Sequence, residues 1–181
     1  MNTKWELIPK RTIDLSKILE PIQISHIFNH FNIDKYLYSF MFKGILLKYG
    51  MSADNSGLPG ERSYRQAGHI SSFPEGTRLT GSSGSDFRII EEDFIKLYGL
   101  PLDHRYMTLT VWDVTNYPFQ TINTRNEILA MEAELISNYE KIVGSKPIGN
   151  INDEAYNKER FHIKRSVLAN IMENPEDYLI K

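Results

Sequence analysis

The strongest constraint on the fold is a pair of short, aromatic-rich apolar segments in the first third of the chain. The segments "KYLYSFMF", residues 35–42, and "ILLKYGMS", residues 45–52, are separated only by Lys43 and Gly44. Aromatic and aliphatic residues in short runs are typical of β-strands, and a two-residue connection containing glycine is typical of a hairpin turn. The sequence therefore predicts two antiparallel strands joined by a tight turn.

Two later segments complete the predicted core. Residues 105–114, "RYMTLTVWDV", alternate apolar and polar side chains and predict a third strand with one buried face. Thr124 and Glu127 form a capping-box pattern that opens a helix running to Gly144. Together these segments predict an α+β fold, with a small three-stranded antiparallel sheet flanked by helices.

Other helices are predicted with less regular patterns. Residues 16–31 favour one or two short helices, and an apolar stripe predicts another between Ser85 and Gly99. A further helix, over "ERSYRQAGHISS", places three basic side chains on one face because they lie three and four residues apart. These are Arg62, Arg65 and His69.

Composition excludes several classes of function. There are 0 cysteines, so disulfides, thiolate nucleophiles and cysteine-based zinc sites are ruled out. The N-terminus lacks an apolar leader pattern and no segment is long and apolar enough to span a bilayer, which predicts a soluble, cytoplasmic protein without a membrane partner. The net charge of −2 argues against a protein that coats nucleic acid non-specifically, although residues 36–70 are locally basic.

An ordered set of motifs between residues 35 and 150 resembles the GIY-YIG nuclease domain. Hairpin tyrosines, a basic pair on the following helix, a glutamate in a later helix and a closing asparagine occur in the order of that family. The matching segments are Tyr36-Leu37-Tyr38 for "GIY", Lys48-Tyr49-Gly50 for "YIG", Arg65 with His69, Glu132-Ala-Glu-Leu-Ile136, and Pro147 with Asn150.

The resemblance implies a metal-dependent endonuclease that hydrolyses DNA with Mg²⁺ or Mn²⁺. It implies catalytic roles for five residues and substrate contacts for three. The catalytic set is Tyr38, Tyr49, Arg65, His69 and Glu132, with Glu132 also the metal ligand, and the substrate-binding set is Lys48, Arg62 and Asn150. Two choices stay open at this point, Tyr36 against Tyr38 and Glu132 against Glu134.

These residue types also suit phosphodiester hydrolysis on chemical grounds. One carboxylate can hold a magnesium ion that keeps several waters, and an arginine can clamp phosphate oxygens in bidentate fashion. A tyrosine could orient the attacking water, and an imidazole with a pKa near neutrality could move its proton.

The resemblance divides the chain into three parts and suggests a biological setting. Residues 1–34 form an N-terminal helical extension, residues 35–150 the nuclease core, and residues 151–181 a C-terminal extension. A chain of this size fits a restriction-type or phage nuclease, acting in the host-cell cytoplasm if it is phage-encoded. Double-strand cleavage would require two active sites, hence a homodimer or sequential nicking.

Simpler readings stand beside this hypothesis. Strand tyrosines usually pack across strands, and charged helix residues are usually solvated. His26 and His30 have zinc-like spacing but lack the glutamate of a metalloprotease motif. Two rival functions follow: a nucleic-acid-binding protein with this fold and no catalysis, or an α+β interaction protein whose motifs match by chance.

Overall fold

The computed structural model describes residues 4–18, 22–53, 96, 98–99, 106–150 and 175–180. They contain four β-strands and two α-helices. The strands are β1 (Lys10–Asp14), β2 (Tyr36–Phe42), β3 (Ile45–Ser52) and β4 (Met107–Asp113), and the helices are α1 (Ile22–His30) and α2 (Thr124–Val143). Short 3₁₀ helices cover Lys4–Leu7, Leu15–Lys17, Ile148–Asn150 and Pro175–Tyr178.

The strands form one antiparallel sheet in the order β1-β4-β2-β3. The α+β class, the hairpin and the third predicted strand are confirmed, but the sheet has four strands rather than three. The additional strand, β1, lies in the segment predicted to be a helical extension. Its sequence "KRTID" contains one buried residue, Ile13, and therefore lacks the apolar alternation by which strands are recognised.

The hairpin turn uses the backbone geometry that its sequence predicts. Lys43 and Gly44 both have positive φ, at 47° and 81°. Two consecutive residues of this kind make a turn whose twist matches that of paired strands, and glycine adopts this conformation without steric cost. The turn therefore supports the direct pairing of β2 with β3.

Helix α2 begins and ends close to the predicted residues, with a different cap. The side chain of Asn123, rather than Thr124, caps the helix by accepting a hydrogen bond from the Asn126 amide at 3.2 Å. Glu127 instead accepts bonds from the Gln120 amide and from the amide and hydroxyl of Thr121. The helix ends at Gly144, whose φ of 90° gives the left-handed cap typical of glycine.

The two faces of the sheet bury separate hydrophobic cores. The first core packs α1 against β2 and β4, and the second packs α2 against the opposite face. The first includes Ile24, Ile27, Phe28, Tyr36, Tyr38, Phe40, Leu109 and Val111. The second includes Ile8, Leu37, Met51, Val114, Ile128 and Met131. Alternate side chains of β2 enter different cores, as expected for a strand buried on both sides.

Segments from the second half of the chain contact both outer strands of the sheet. Leu179 bridges to Ile13 of β1, and the Ile180 amide donates to the Thr12 carbonyl at 2.9 Å. The 3₁₀ helix Ile148–Asn150 lies against β3. Both edges of the sheet are thus paired in part with other residues of the chain.

Several predicted elements lie outside the described residues, among them the helix carrying Arg62, Arg65 and His69. Of the helix predicted between Ser85 and Gly99, the structure describes Lys96 and Tyr98 as helical and a positive φ at Gly99. Within the described part of the chain, no helix combines the length and apolar character needed to cross a membrane.

Candidate active site at the outer edge of the sheet

The first predicted site residue, Tyr38, lies flat across the neighbouring strand. Tyr38 pairs with Gly50 of β3, and a Cβ atom added to Gly50 would lie 2.3 Å from both Cζ and the hydroxyl oxygen of Tyr38. Only glycine leaves room for the ring at this position. The hydroxyl of Tyr38 therefore sits over β3, although the residue as a whole is only 1% exposed.

Lys48 and Asn150 meet at the outer edge of β3. The Asn150 amide nitrogen donates to the Tyr49 carbonyl at 2.9 Å, and the Asn150 amide oxygen accepts from the Tyr49 amide at 3.0 Å. Lys48 Nζ donates to the Gly149 carbonyl at 3.3 Å. The side chain of Asn150 thus forms the two backbone hydrogen bonds that a neighbouring strand would otherwise form. These bonds join the Pro147–Asn150 motif to the Lys48–Gly50 motif.

A register irregularity separates Tyr49 from Tyr38. A regular two-residue hairpin would pair these two tyrosines directly, but the register shifts between Phe40 and Met41, so that Tyr38 pairs with Gly50 and Ser39 with Tyr49. Because neighbours along a strand point to opposite faces, Tyr49 faces the second core. Lys48 pairs with Phe40 and so shares the face of Tyr38.

The surroundings of Tyr49 keep its phenol protonated. Its ring lies 6.3 Å from that of Trp112, and burial, followed by the electrostatic effect of Tyr139, raises the pKa of Tyr49 above its usual value of 10.0. A general base at neutral pH needs the opposite shift. This direction argues against Tyr49 as a general base at neutral pH.

Glu134, one of the two candidate carboxylates of α2, is paired with the N-terminal segment. Glu134 forms a salt bridge with Lys4 and accepts a hydrogen bond from Trp5 Nε1 at 3.5 Å. The hydrogen bond from Lys4 is the main cause that lowers the pKa of Glu134 below 4.5, while partial burial opposes it. Glu134 is thus engaged in holding the N-terminal segment against α2.

Glu132 approaches the sheet from the side opposite to Tyr38. It lies on the same side of α2 as Leu135 and Tyr139, one and two turns further along the helix. Leu135 packs on the second core and Tyr139 influences Tyr49, so this side of the helix faces β3. Glu132 and the Tyr38 ring therefore lie on opposite faces of the sheet.

The structure brings together part of the predicted set. Lys48 and Asn150 lie at the edge of β3, and the ring of Tyr38 extends over Gly50 of the same strand, whereas the side chain of Tyr49 lies on the other face. The other open choice, Tyr36, packs in the first core with its ring 4.7 Å from that of Phe28. Arg62, Arg65 and His69 lie outside the described residues.

One residue near the site was not predicted. Tyr139 on α2 influences Tyr49 on β3, and its own pKa is raised by burial and then by Tyr98. Its spacing from Glu132, two helical turns, is the signal in the sequence that could have placed it on the same helix face.

Among the described residues, no group of three or more histidine, cysteine, aspartate or glutamate side chains could hold a metal ion. Comparison of the chain with protein-family models, with curated proteins and with solved structures finds no match.

Proposed function

We propose that this chain is a metal-dependent endonuclease of the GIY-YIG type that hydrolyses DNA phosphodiester bonds. In this proposal Tyr38 orients the attacking water and Lys48 contacts the phosphate. Arg65 clamps the scissile phosphate, His69 moves the proton, and Arg62 adds a substrate contact.

The observation that carries the proposal is the pair of hydrogen bonds between the Asn150 side chain and the Tyr49 backbone. It joins the last motif of the resemblance to the second across 101 positions of sequence. A long-range contact of this kind is not expected if the motifs occur in this order by chance. Lys48, which donates to the Gly149 carbonyl, lies on the face of the sheet that also carries Tyr38.

The residues present would hold a magnesium ion through one carboxylate. Glu132 offers a hard oxygen ligand on a partly exposed helix face, and magnesium keeps several waters when a protein supplies one carboxylate. When bound, the ion would neutralise charge on the phosphate oxygens. The protein's own part is to hold the phosphate between Lys48 and Arg65 and to exclude other orientations of the water.

A plasmid-cleavage assay with MgCl₂ tests this proposal. Supercoiled plasmid should be converted to nicked or linear form by the native chain and not in the presence of a chelator. Glu132→Gln should lower the rate by at least about 100-fold, as expected when a charge-stabilising group is removed. Glu140→Gln provides the matched control, because it makes the same change at an exposed position of the same helix.

Cleavage by Glu132→Gln at the native rate would refute the metal assignment. Equal loss in Glu132→Gln and Glu140→Gln would point to an effect of helix charge rather than to a metal ligand. Sequencing the cut ends distinguishes a site-specific enzyme from a degradative one, and sedimentation analysis with DNA tests the proposed homodimer.

A second function is favoured by the burial of Tyr38. A tyrosine that is 1% exposed within a hydrophobic core is a poor partner for water, as expected if the fold binds nucleic acid without cutting it. Fluorescence anisotropy with labelled duplex DNA separates the two. Salt-dependent binding without cleavage supports the binding protein, and the absence of binding contradicts both.

A further inference from the structure

Two buried polar atoms on α1 have no hydrogen-bond partner within the part of the chain that the structure describes. They are Nε2 of His26 and Oδ1 of Asn29. Buried polar atoms in folded proteins are almost always paired, and the usual explanation for an exception is a bound water or ion. The pair therefore marks a place where α1 can receive a ligand.

The two atoms belong to one polar side of the helix. His26, Asn29 and His30 fall within an arc of about 100° because each residue advances the helix by about 100°. Ile24 and Phe28, which pack in the first core, lie on the other side. His30 is exposed, so the arc runs from buried atoms to the surface of the helix.

The chemistry of these three side chains defines the class of ligand. The Asn29 oxygen can only accept, so its partner must be a hydrogen-bond donor or a cation. Imidazole nitrogens four residues apart on a helix are a recurrent pair of zinc ligands. Two imidazoles with one amide oxygen favour Zn²⁺, Co²⁺, Ni²⁺ or Cu²⁺ over Mg²⁺.

We propose that His26, Asn29 and His30 form a transition-metal site on α1. The sequence alone disfavoured a metal at His26 and His30, because no acidic neighbour accompanies them. The unpaired atoms of His26 and Asn29 supply the observation that the spacing lacked.

Neighbouring side chains define the limits of this site. Gln23, on the same side of the helix and about one turn before His26, donates to the Tyr178 hydroxyl at 3.0 Å. At the other end the His30 ring lies 4.9 Å from the Phe31 ring, over which the Arg11 guanidinium stacks at 3.4 Å. This positive charge opposes a cation at His30, so Arg11→Gln should tighten metal binding.

The site is separate from the proposed nuclease centre. Its three residues lie on the side of α1 turned away from the first core, whereas Tyr38 lies within that core and Glu132 is on α2, which packs against the second core. Failure of one proposal therefore leaves the other intact.

Titration of the metal-free chain with CoCl₂, followed by visible absorption, and with ZnCl₂, followed by calorimetry, tests the site. One equivalent should bind, and His26→Ala and His30→Ala should each weaken binding by about tenfold or more. Asn29→Ala should weaken it less, since it removes a neutral oxygen. Glu140→Gln, at an exposed position of α2, is the control and should leave this affinity unchanged.

His30 is exposed, so His30→Ala keeps the proposal testable even if His26→Ala disrupts the helix, which circular dichroism would reveal. The proposal is overturned if no saturable equivalent binds, or if folded His30→Ala binds as tightly as the native chain. It is equally overturned if a crystal grown with ZnCl₂ shows only a water between His26 and Asn29.

Discussion

The side-chain amide of Asn150 pairs with both backbone polar groups of Tyr49. It accepts from the Tyr49 amide at 3.0 Å and donates to the Tyr49 carbonyl at 2.9 Å. One side chain thus takes the place of a missing strand at the edge of β3. The candidate site at Lys48 and Gly50 depends on this contact, because it fixes the edge on which both lie.

Removing this amide should destabilise the fold. Asn150→Ala leaves two partly buried groups of Tyr49 without their partner, so the free energy of unfolding should fall by about 1–3 kcal/mol in urea denaturation. Asn150→Asp keeps the acceptor and loses the donor, so its free energy of unfolding should lie between those of Asn150→Ala and the native chain. Asn138→Ala, at an exposed position of α2, should change stability by less than about 0.5 kcal/mol. A stability of Asn150→Ala equal to that of the native chain would contradict the contact.

A methyl group at Gly50 should displace the ring of Tyr38. The added Cβ would lie 2.3 Å from Cζ of a ring that is buried and cannot swing into solvent, so Gly50→Ala should cost about 1–3 kcal/mol of stability. The same change in a Tyr38→Leu background should cost much less, because the ring is gone. Denaturation of all four chains measures this coupling, and strictly additive effects would exclude the overlap.

Acid should release the N-terminal segment from α2. Lys4 holds the pKa of Glu134 below 4.5 in the folded chain, so the stability from this contact is complete above pH 4.5 and is lost as pH falls through the lowered pKa. The contact is partly exposed, so Glu134→Gln should cost less than about 1 kcal/mol at pH 7. The melting temperature of Glu134→Gln should converge with that of the native chain at low pH. A constant difference from pH 7 to pH 3 would argue against the pairing, and Glu140→Gln should show no comparable effect.

Removing residues 175–181 should uncover the edge of β1. Tyr178 and Leu179 pack on the first core, and Ile180 donates to Thr12, so the truncated chain should melt at a lower temperature. An uncovered edge strand also offers unpaired backbone groups to a second copy, which should appear as concentration-dependent association in sedimentation. Removing Lys181 alone should cause neither change. A truncated chain that stays monomeric and equally stable would show that the segment does not protect the edge.

Local patterns were sufficient to predict the hairpin, β4 and α2. Each of these elements is specified by nearby residues: the positive-φ turn at Lys43 and Gly44, the alternation along β4, and the glycine that ends α2. Strand β1 was not predictable in this way. Its pairing with β4 joins distant segments, and its own side chains are mostly polar.

The candidate site was predictable only in part, because local patterns identify residues but do not fix how the strands pair. The motifs identified Lys48 and Asn150, which the structure brings to one edge, and Tyr38, whose ring extends over Gly50 of the edge strand. The face of Tyr49 depends on an irregularity of one residue near Phe40, and a shift of one residue moves every later side chain to the other face of a strand. Nothing in the residue types around Phe40 signals this shift.

The cover over β1 also has a consequence for how the chain is made. Lys17, just beyond β1, bonds to the carbonyl of Asp177, 160 positions later. A ribosome therefore completes β1 long before it supplies the residues that shield it. Until residues 175–180 are synthesised, the outer edge of β1 lacks the backbone partners that they provide. Unpaired strand edges promote aggregation, so we expect the risk of aggregation to be greatest in this interval.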